Sequence, residues 1–271
     1  MPLTAVASRG LSALAFGCAL CVACSDAAEE PRSNGSGLTG PLPLRPPALS
    51  RVLVYTRTAD YRHDSIGPGV AALGQLGMQN GFSVDQSEDP TTFNDQNLAG
   101  YDVVVFLCTT ADVLDAAGQD ALQRYIQSGG GWVGIHAAAD TEYDWPWYGQ
   151  LLGNDAWFRV HPAIQYVWVD VEKGDHASTA HLAARFSMLD ELYNYRANPR
   201  PAVTVLLRLD ESSYSPGDGA MGSDHPISWY HEFDGGRAWY TGLGHRQELY
   251  GDPIYLQHLL GGLRWAAGVV P

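Results

Sequence analysis

Tyr101-Asp102-Val103-Val104-Val105-Phe106-Leu107-Cys108 is apolar at every position from 103 to 107. A strand with one face in water alternates polar and apolar residues, so a run that is apolar on both faces reads as a central strand covered by helices on each side. Cys108 is expected to pack within it. Upstream, Val52-Leu53-Val54-Tyr55 is a second such run, followed by a polar loop, a helix-like stretch over 66–79 and the stop Asn80-Gly81. Phe82-Ser83-Val84-Asp85 reads as the next strand. Downstream, Asp115 is a plausible N-cap for a helix with apolar positions Leu122, Tyr125 and Ile126, ended by Gly129-Gly130-Gly131 before the strand Trp132-Val133-Gly134-Ile135. Strand and helix in alternation predict an α/β, doubly wound, mostly parallel sheet with right-handed crossovers.

The C-terminal half reads as more mixed. Strands are expected over 164–171 and 203–209, and a hairpin is expected from 227–233 and 237–242 around Asp234-Gly235-Gly236. Over 253–267, Ile254, Leu256, Leu259, Leu260 and Leu263 form a helical stripe that should dock on the sheet. There are no internal repeats.

Ahead of the fold, Arg9, the apolar run 11–23 and small residues before Cys24 form an export leader too short to span a bilayer. Cys21-Val22-Ala23-Cys24 resembles a bacterial lipoprotein processing box, with lipidation at Cys24; plain secretion is the alternative, and Cys18 is a weaker competitor. Residues 25–50, rich in Ser, Gly and Pro, read as a solvated tether, leaving one domain over 51–271. The expected location is periplasmic or membrane-anchored, with the membrane touched only through the lipid. Three of the four cysteines lie in the leader, so Cys108 has no disulfide partner.

Sixteen Lys and Arg against thirty Asp and Glu give a net charge of −14, which disfavours nucleic acid and anionic lipid as partners. Aromatic residues together with carboxylates suit a neutral, hydroxyl-rich small molecule such as a sugar.

Three histidines follow predicted strands: His63, His136 and His245. Parallel α/β sheets bind ligands at strand carboxyl ends, so the three are expected to share one crevice. Tyr61-Arg62-His63-Asp64-Ser65 lies between a strand and a helix, where Arg62 and His63 are the useful side chains; alternatively Asp64 or Ser65 caps the helix and Arg62 is solvated. Gly134-Ile135-His136-Ala137-Ala138 resembles the tight elbow that presents a nucleophile in hydrolases and amidotransferases, with imidazole in place of Ser or Cys. His136 is then an acid, a base or a metal ligand, or else a buried ring satisfied by a backbone carbonyl. Asp140, Tyr143, Trp145 and Trp147 follow in a loop suited to stacking on a sugar, or serve as a plain surface lid. Gly242-Leu243-Gly244-His245 allows close backbone approach, with Tyr250 beyond. His161-Pro162 and Asp190-Glu191-Leu192-Tyr193 add a histidine, two carboxylates and a further tyrosine. The histidines match no local metal signature, since there is neither HExxH nor CxxC; a divalent ion such as zinc is one option for such scattered residues.

These segments, with Pro226-Ile227-Ser228-Trp229 and the run 259–265, resemble the ThuA-like, trehalose-utilisation family over 51–268. Arg159-Val160 ahead of His161, and Cys108, depart from its pattern. The resemblance implies a flavodoxin-like domain related to class I glutamine amidotransferases but lacking their nucleophile. It also implies the handling of disaccharides, after oxidation to a 3-keto sugar. On that basis His136 and Glu191 are expected to transfer protons, and His63 and His245 to polarise the carbonyl or hold metal. Tyr143, Trp145 and Trp147 are expected to stack on the sugar, with Tyr61, Arg62, Asp140, His161, Tyr193 and Tyr250 also contacting it. A non-catalytic sugar-binding module is the competing reading; a glutamine amidotransferase is disfavoured because no cysteine occupies the elbow.

Overall fold

The structure is a computed structural model, and it describes residues 49–270. The stretch read as an export leader, Cys24 and nearly all of the stretch read as a tether lie outside these residues. The elements in order are β1 (Arg51–Tyr55), α1 (Ile66–Asn80), β2 (Ser83–Ser87), α2 (Asp95–Leu98), β3 (Val103–Leu107), α3 (Ala116–Gln127), β4 (Gly131–Ile135), α4 (Pro146–Leu152), β5 (Phe158–Val160) and β6 (Gln165–Val171). There follow β7 (Arg185–Asp190), β8 (Asn194–Tyr195), β9 (Thr204–Leu209), β10 (His225–Phe233), β11 (Gly236–Thr241) and α5 (Pro253–Ala266). No helix among the described residues is long and apolar enough to cross a membrane.

Nine strands form one sheet in the order β2-β1-β3-β4-β11-β10-β9-β6-β7. The first five are mutually parallel, and the pairings from β11 to β7 are antiparallel. This is the doubly wound, flavodoxin-like α/β fold expected from the sequence. The chain runs one way from β1 to β2 and the other way from β3 to β4, so right-handed crossovers place α1 and α3 on opposite faces. β3 lies between them, and all five of its residues are fully buried. The antiparallel extension contains the expected strands over 164–171 and 203–209 and the expected hairpin, and adds β7 at its edge. β7 was not legible because Arg, Ser and Met carry weak strand preference, and β5 and β8 pair only with each other over three and two residues.

Local signals are realised closely. Gly81 ends α1 in the left-handed conformation with φ 80°, and the Asp115 carboxylate accepts from the Gly118 N–H at 2.8 Å to cap α3. Asp234 and Gly235 both have positive φ and join β10 to β11 in a two-residue loop, the geometry that matches the twist of a hairpin.

One expectation is corrected. Cys108 lies just past the end of β3 with φ 50°, rather than inside the strand. Its Sγ sits 3.7 Å from Ser65 Oγ, and burial pushes its pKa up to about 12. The thiol is therefore protonated and shielded, so its place at a turn does not make it a nucleophile.

In a flat sheet β7 would lie about 19 Å from β11, four strand spacings away. Yet Asp190, at the carboxyl end of β7, accepts from the Gly244 N–H at 2.8 Å. Curling of the antiparallel half and the loop over 242–244 together close that gap. The edge strand thereby delivers residues 190–193 to the carboxyl ends of the parallel strands.

Candidate active site

His136 follows β4 directly in the left-handed conformation, φ 52°, as the elbow reading requires. A non-glycine residue held there costs on the order of 1 kcal/mol and persists only where its surroundings fix it. Here the ring is fully buried and its Nδ1 donates to the Gly242 carbonyl oxygen at 2.8 Å. A carbonyl can only accept, so Nδ1 carries the proton and Nε2 is turned inward. The backbone carbonyl foreseen for a buried His136 is Gly242, which leaves Nε2 facing the neighbouring histidine and Glu191.

His245 is set by the opposite device. Asp190 accepts from the N–H groups on either side of it, Gly244 at 2.8 Å and Arg246 at 3.1 Å. Gly244 has φ 125°, and a Cβ there would stand 2.7 Å from the Tyr255 hydroxyl. Only glycine fits that turn. Tyr250 is buried beneath it and donates to the Gly244 carbonyl at 3.1 Å, so it supports the loop.

His63 is 5% exposed and meets His136 and His245 edge-on, with ring centroids 4.8 and 5.3 Å away. Its Nδ1 is buried without a hydrogen-bond partner. Ser65 takes the N-cap position of α1 but makes no side-chain cap bond. Arg62 points out and pairs with Glu88 at 2.7 Å.

Glu191 joins these rings. Its Oε2 lies 3.4 Å from His136 Nε2 and 3.2 Å from His245 Nδ1, while Oε1 lies 3.0 Å from His161 Nδ1. One ligating atom from each of His63, His136, Glu191 and His245 falls within 4.8 Å of all the others. In a neutral His136 the inward Nε2 is an acceptor, with the Glu191 carboxylate on one side and His245 Nδ1 at 3.3 Å on the other, so a proton or a cation shared among the three would satisfy it. Three imidazoles, one of them with an orphaned buried nitrogen, and a carboxylate are a donor set that fits a first-row divalent ion such as zinc.

Burial, with repulsion from His136 and His245, pushes the His63 pKa down to about 3. Burial alone would lower His245, but its hydrogen bond to Glu191 and the charges of Glu191 and Asp190 outweigh this and raise it. For Glu191 burial acts upward, and the His136 and His245 hydrogen bonds and charges hold it well below the usual carboxylate range.

The cluster opens into a cavity of about 480 Å³, within the range of small-molecule sites. His63, His161, His245, Glu191, Asp60 and Asp140 supply polar lining, and Tyr61, Phe158 and Tyr193 supply aromatic surface. Tyr193 packs on His136 and Phe158 with centroids 4.3 and 4.2 Å away.

Of the residues expected here, Tyr61, His63, Asp140, His161, Glu191, Tyr193 and His245 line the cavity, with His136 directly beneath. Arg62, Tyr143, Trp145, Trp147 and Tyr250 do not line it. Tyr143 sits behind Asp140, to which its hydroxyl donates at 2.5 Å, under the Arg196 guanidinium. Trp147 donates to Asp234 at 2.9 Å and packs on Trp145 and Phe233, because α4 turns that face toward the hairpin tip. Asp60, Phe158 and Asp190 were not singled out from the sequence as site residues. Asp190 stood in a motif already noted, whereas Asp60 and Phe158 carried no signal.

A family model described as ThuA, trehalose utilisation, matches residues 51–266. The chain belongs to the ThuA family. A ThuA-like protein from Bacteroides uniformis is similar in structure, with 27% identity and a TM-score of 0.68 over 85% of this chain and 95% of that one. A second ThuA-like protein, from Parabacteroides merdae, is 20% identical with a TM-score of 0.64 over 82% and 90% of the two chains. A β-galactosidase from Bacillus circulans shares the fold alone, at 15% identity and a TM-score of 0.51 over 81% of this chain and 31% of that one. Comparison with curated proteins gives no match. Membership of the ThuA family ties the chain to carbohydrate utilisation.

Proposed function

We propose that this ThuA-family protein is an exported enzyme that acts on disaccharides or their 3-keto derivatives, with the cluster at the strand ends as its catalytic centre. The observation that carries the reading is the convergence of His63, His136, His245 and Glu191, from four separate segments, on one cavity. Neutral sugar binding alone does not call for three imidazoles beside a carboxylate.

In this reading His63, His136 and His245 hold a divalent ion, three protein ligands leaving an open position. Bound there, such an ion supplies Lewis acidity toward a sugar carbonyl. Glu191 is the proton-transfer group, fixed by His161 at 3.0 Å on its other oxygen. In a 3-keto glycoside the ketone acidifies the C–H of the carbon between it and the glycosidic carbon. Glu191 takes that proton; the electron pair left behind expels the glycosidic oxygen, which takes up the proton as it departs. Products are an unsaturated keto sugar and the free alcohol, with no oxidant consumed.

The test is incubation of purified protein with trehalose and with 3-keto-trehalose, with zinc or with chelator, followed by NMR of the products. Turnover of one sugar that is lost in His136→Ala, with the fold intact by circular dichroism, is the expected result. Sugar binding without turnover in zinc-loaded protein would instead identify a binding module on the same fold. An active His136→Ala variant would remove the cluster from the mechanism.

A further inference from the structure

The cavity has two carboxylates that the proposed chemistry does not use. Asp60 lies in the loop after β1 and Asp140 in the turn after β4, and both line the cavity. Among the described residues no lysine or arginine lines it. Arg62 is engaged by Glu88 at 2.7 Å, and Arg196 lies over the Tyr143 ring at 4.0 Å.

The two loops are pinned to one place. The Ala59 N–H donates to the Thr110 carbonyl at 2.9 Å, and the next residue, Ala111, donates its N–H to the Asp140 carbonyl at 2.7 Å. Thr110 Oγ1 also accepts from the Asp60 N–H at 3.3 Å. Tyr143 holds Asp140 Oδ1 at 2.5 Å. Burial raises the Asp140 pKa, with the Tyr143 hydrogen bond acting against it and the Asp60 charge adding to it, while His136 and Arg196 oppose it. Two carboxylates with few partners, in a cavity that also carries the buried, orphaned His63 Nδ1, mark this cavity as built for a ligand.

We infer that Asp60 and Asp140 are specificity-determining residues that accept hydrogen bonds from adjacent hydroxyls of a neutral sugar and turn away its phosphorylated or acidic counterparts. Carboxylates accept two hydroxyl donors each and offer an anion nothing. The lining agrees: Asp60, Asp140 and Glu191 contribute three carboxylates, and no lysine or arginine lines the cavity beside them. The inference rests on the carbohydrate reading above and adds the feature of the sugar that is read.

Calorimetric titration of zinc-loaded and metal-free protein with trehalose and with trehalose 6-phosphate tests it without any need for turnover. Wild-type protein is expected to favour trehalose by more than about 10-fold, and Asp60→Asn with Asp140→Asn is expected to weaken trehalose binding about 10- to 100-fold. The same pair of changes should narrow or reverse the preference over the phosphate, which a merely structural role would not do. Asp60 is exposed, so Asp60→Asn alone keeps the test available where the double variant fails to fold. Equal wild-type affinity for the two sugars, or an unchanged preference in Asp60→Asn, would overturn this inference and leave the carbohydrate reading standing. Binding of neither sugar by wild type would overturn both.

Discussion

Two glutamates in this molecule each meet a buried histidine, and they do opposite things. Glu191 reaches His136, His245 and His161 at 3.0 to 3.4 Å and faces a cavity. Glu211 meets His225 at 2.8 Å but also accepts from the backbone N–H groups of Met221 and Gly222, at 2.6 and 2.7 Å. His225 in turn donates Nε2–H to the Tyr193 carbonyl at 2.8 Å, and its Nδ1 accepts from the Tyr214 hydroxyl at 3.0 Å, so both of its nitrogens are satisfied. Burial lowers the His225 pKa, just as it lowers that of His63. A perturbed, buried acid–histidine contact is therefore no mark of function by itself. What separates the two is their surroundings: the Glu211 pair closes on backbone N–H groups and latches a loop, whereas the Glu191 group borders an open cavity.

The largest effect should come from breaking the open group. His136→Ala is expected to lower zinc affinity more than about 100-fold, exceeding the usual loss when only a supporting residue is removed. Competition with a chromophoric chelator measures it, and unchanged affinity would erase the contrast with His225. Glu191→Gln should then separate roles inside the group. It keeps shape and a carbonyl oxygen, so zinc affinity should change less than about 10-fold, while turnover of 3-keto-trehalose drops about 10²- to 10⁴-fold.

The satisfied histidines should speak through stability and pH. His258 is fully buried between the Ser178 carbonyl at 2.7 Å and Ser228 Oγ at 3.3 Å, and burial pushes its pKa down to about 3 from an ordinary 6.5. Below pH 6.5 the unfolded chain binds a proton that the folded ring refuses. Stability from this group is complete above about pH 6.5 and declines as pH falls toward 3, by at most about 1.4 kcal/mol per pH unit. Urea unfolding at pH 7 and pH 5 reads the loss, and His258→Gln should flatten it. A profile as steep in the variant as in wild type would assign the acid sensitivity elsewhere.

Glu211→Gln should cost about 1–2 kcal/mol, because one of the acceptor oxygens serving the loop becomes a donor. Zinc affinity should stay as in wild type; a fall comparable to that of His136→Ala would mean the two pairs are coupled. Smallest of all, Trp147→Phe removes a partly exposed hydrogen bond to Asp234 and should cost about 0.5–1 kcal/mol. Trehalose affinity should not change, since this ring packs on Phe233 rather than on the cavity; a weaker Kd would return Trp147 to the site.

The parallel half of the fold was legible because its signals are local. Val103–Leu107 is apolar throughout, Asp115 caps its helix, and Asp234-Gly235 supplies the positive φ values its turn needs. The site was legible only in part. His63, His136 and His245 each follow a strand of one parallel sheet, so topology alone brings them to one rim. Trp145 and Trp147 belong to the same aromatic loop as Asp140, but which way a loop faces depends on what packs against it. Here Phe233 and Asp234 draw Trp147 away, and Trp145 stacks on it.

The sequence by itself determined the alternation of strand and helix, the left-handed turn that exposes an elbow residue, and the family, because each is written in contiguous residues. Tertiary structure decided which acid meets which imidazole and which aromatic rings line the cavity. Glu191 is carried to His136 by an edge strand that curls across four neighbours, and Asp60 meets Asp140 because both loops hang on Thr110 and Ala111. Such contacts are fixed by packing between segments far apart in the chain, and no local pattern encodes them.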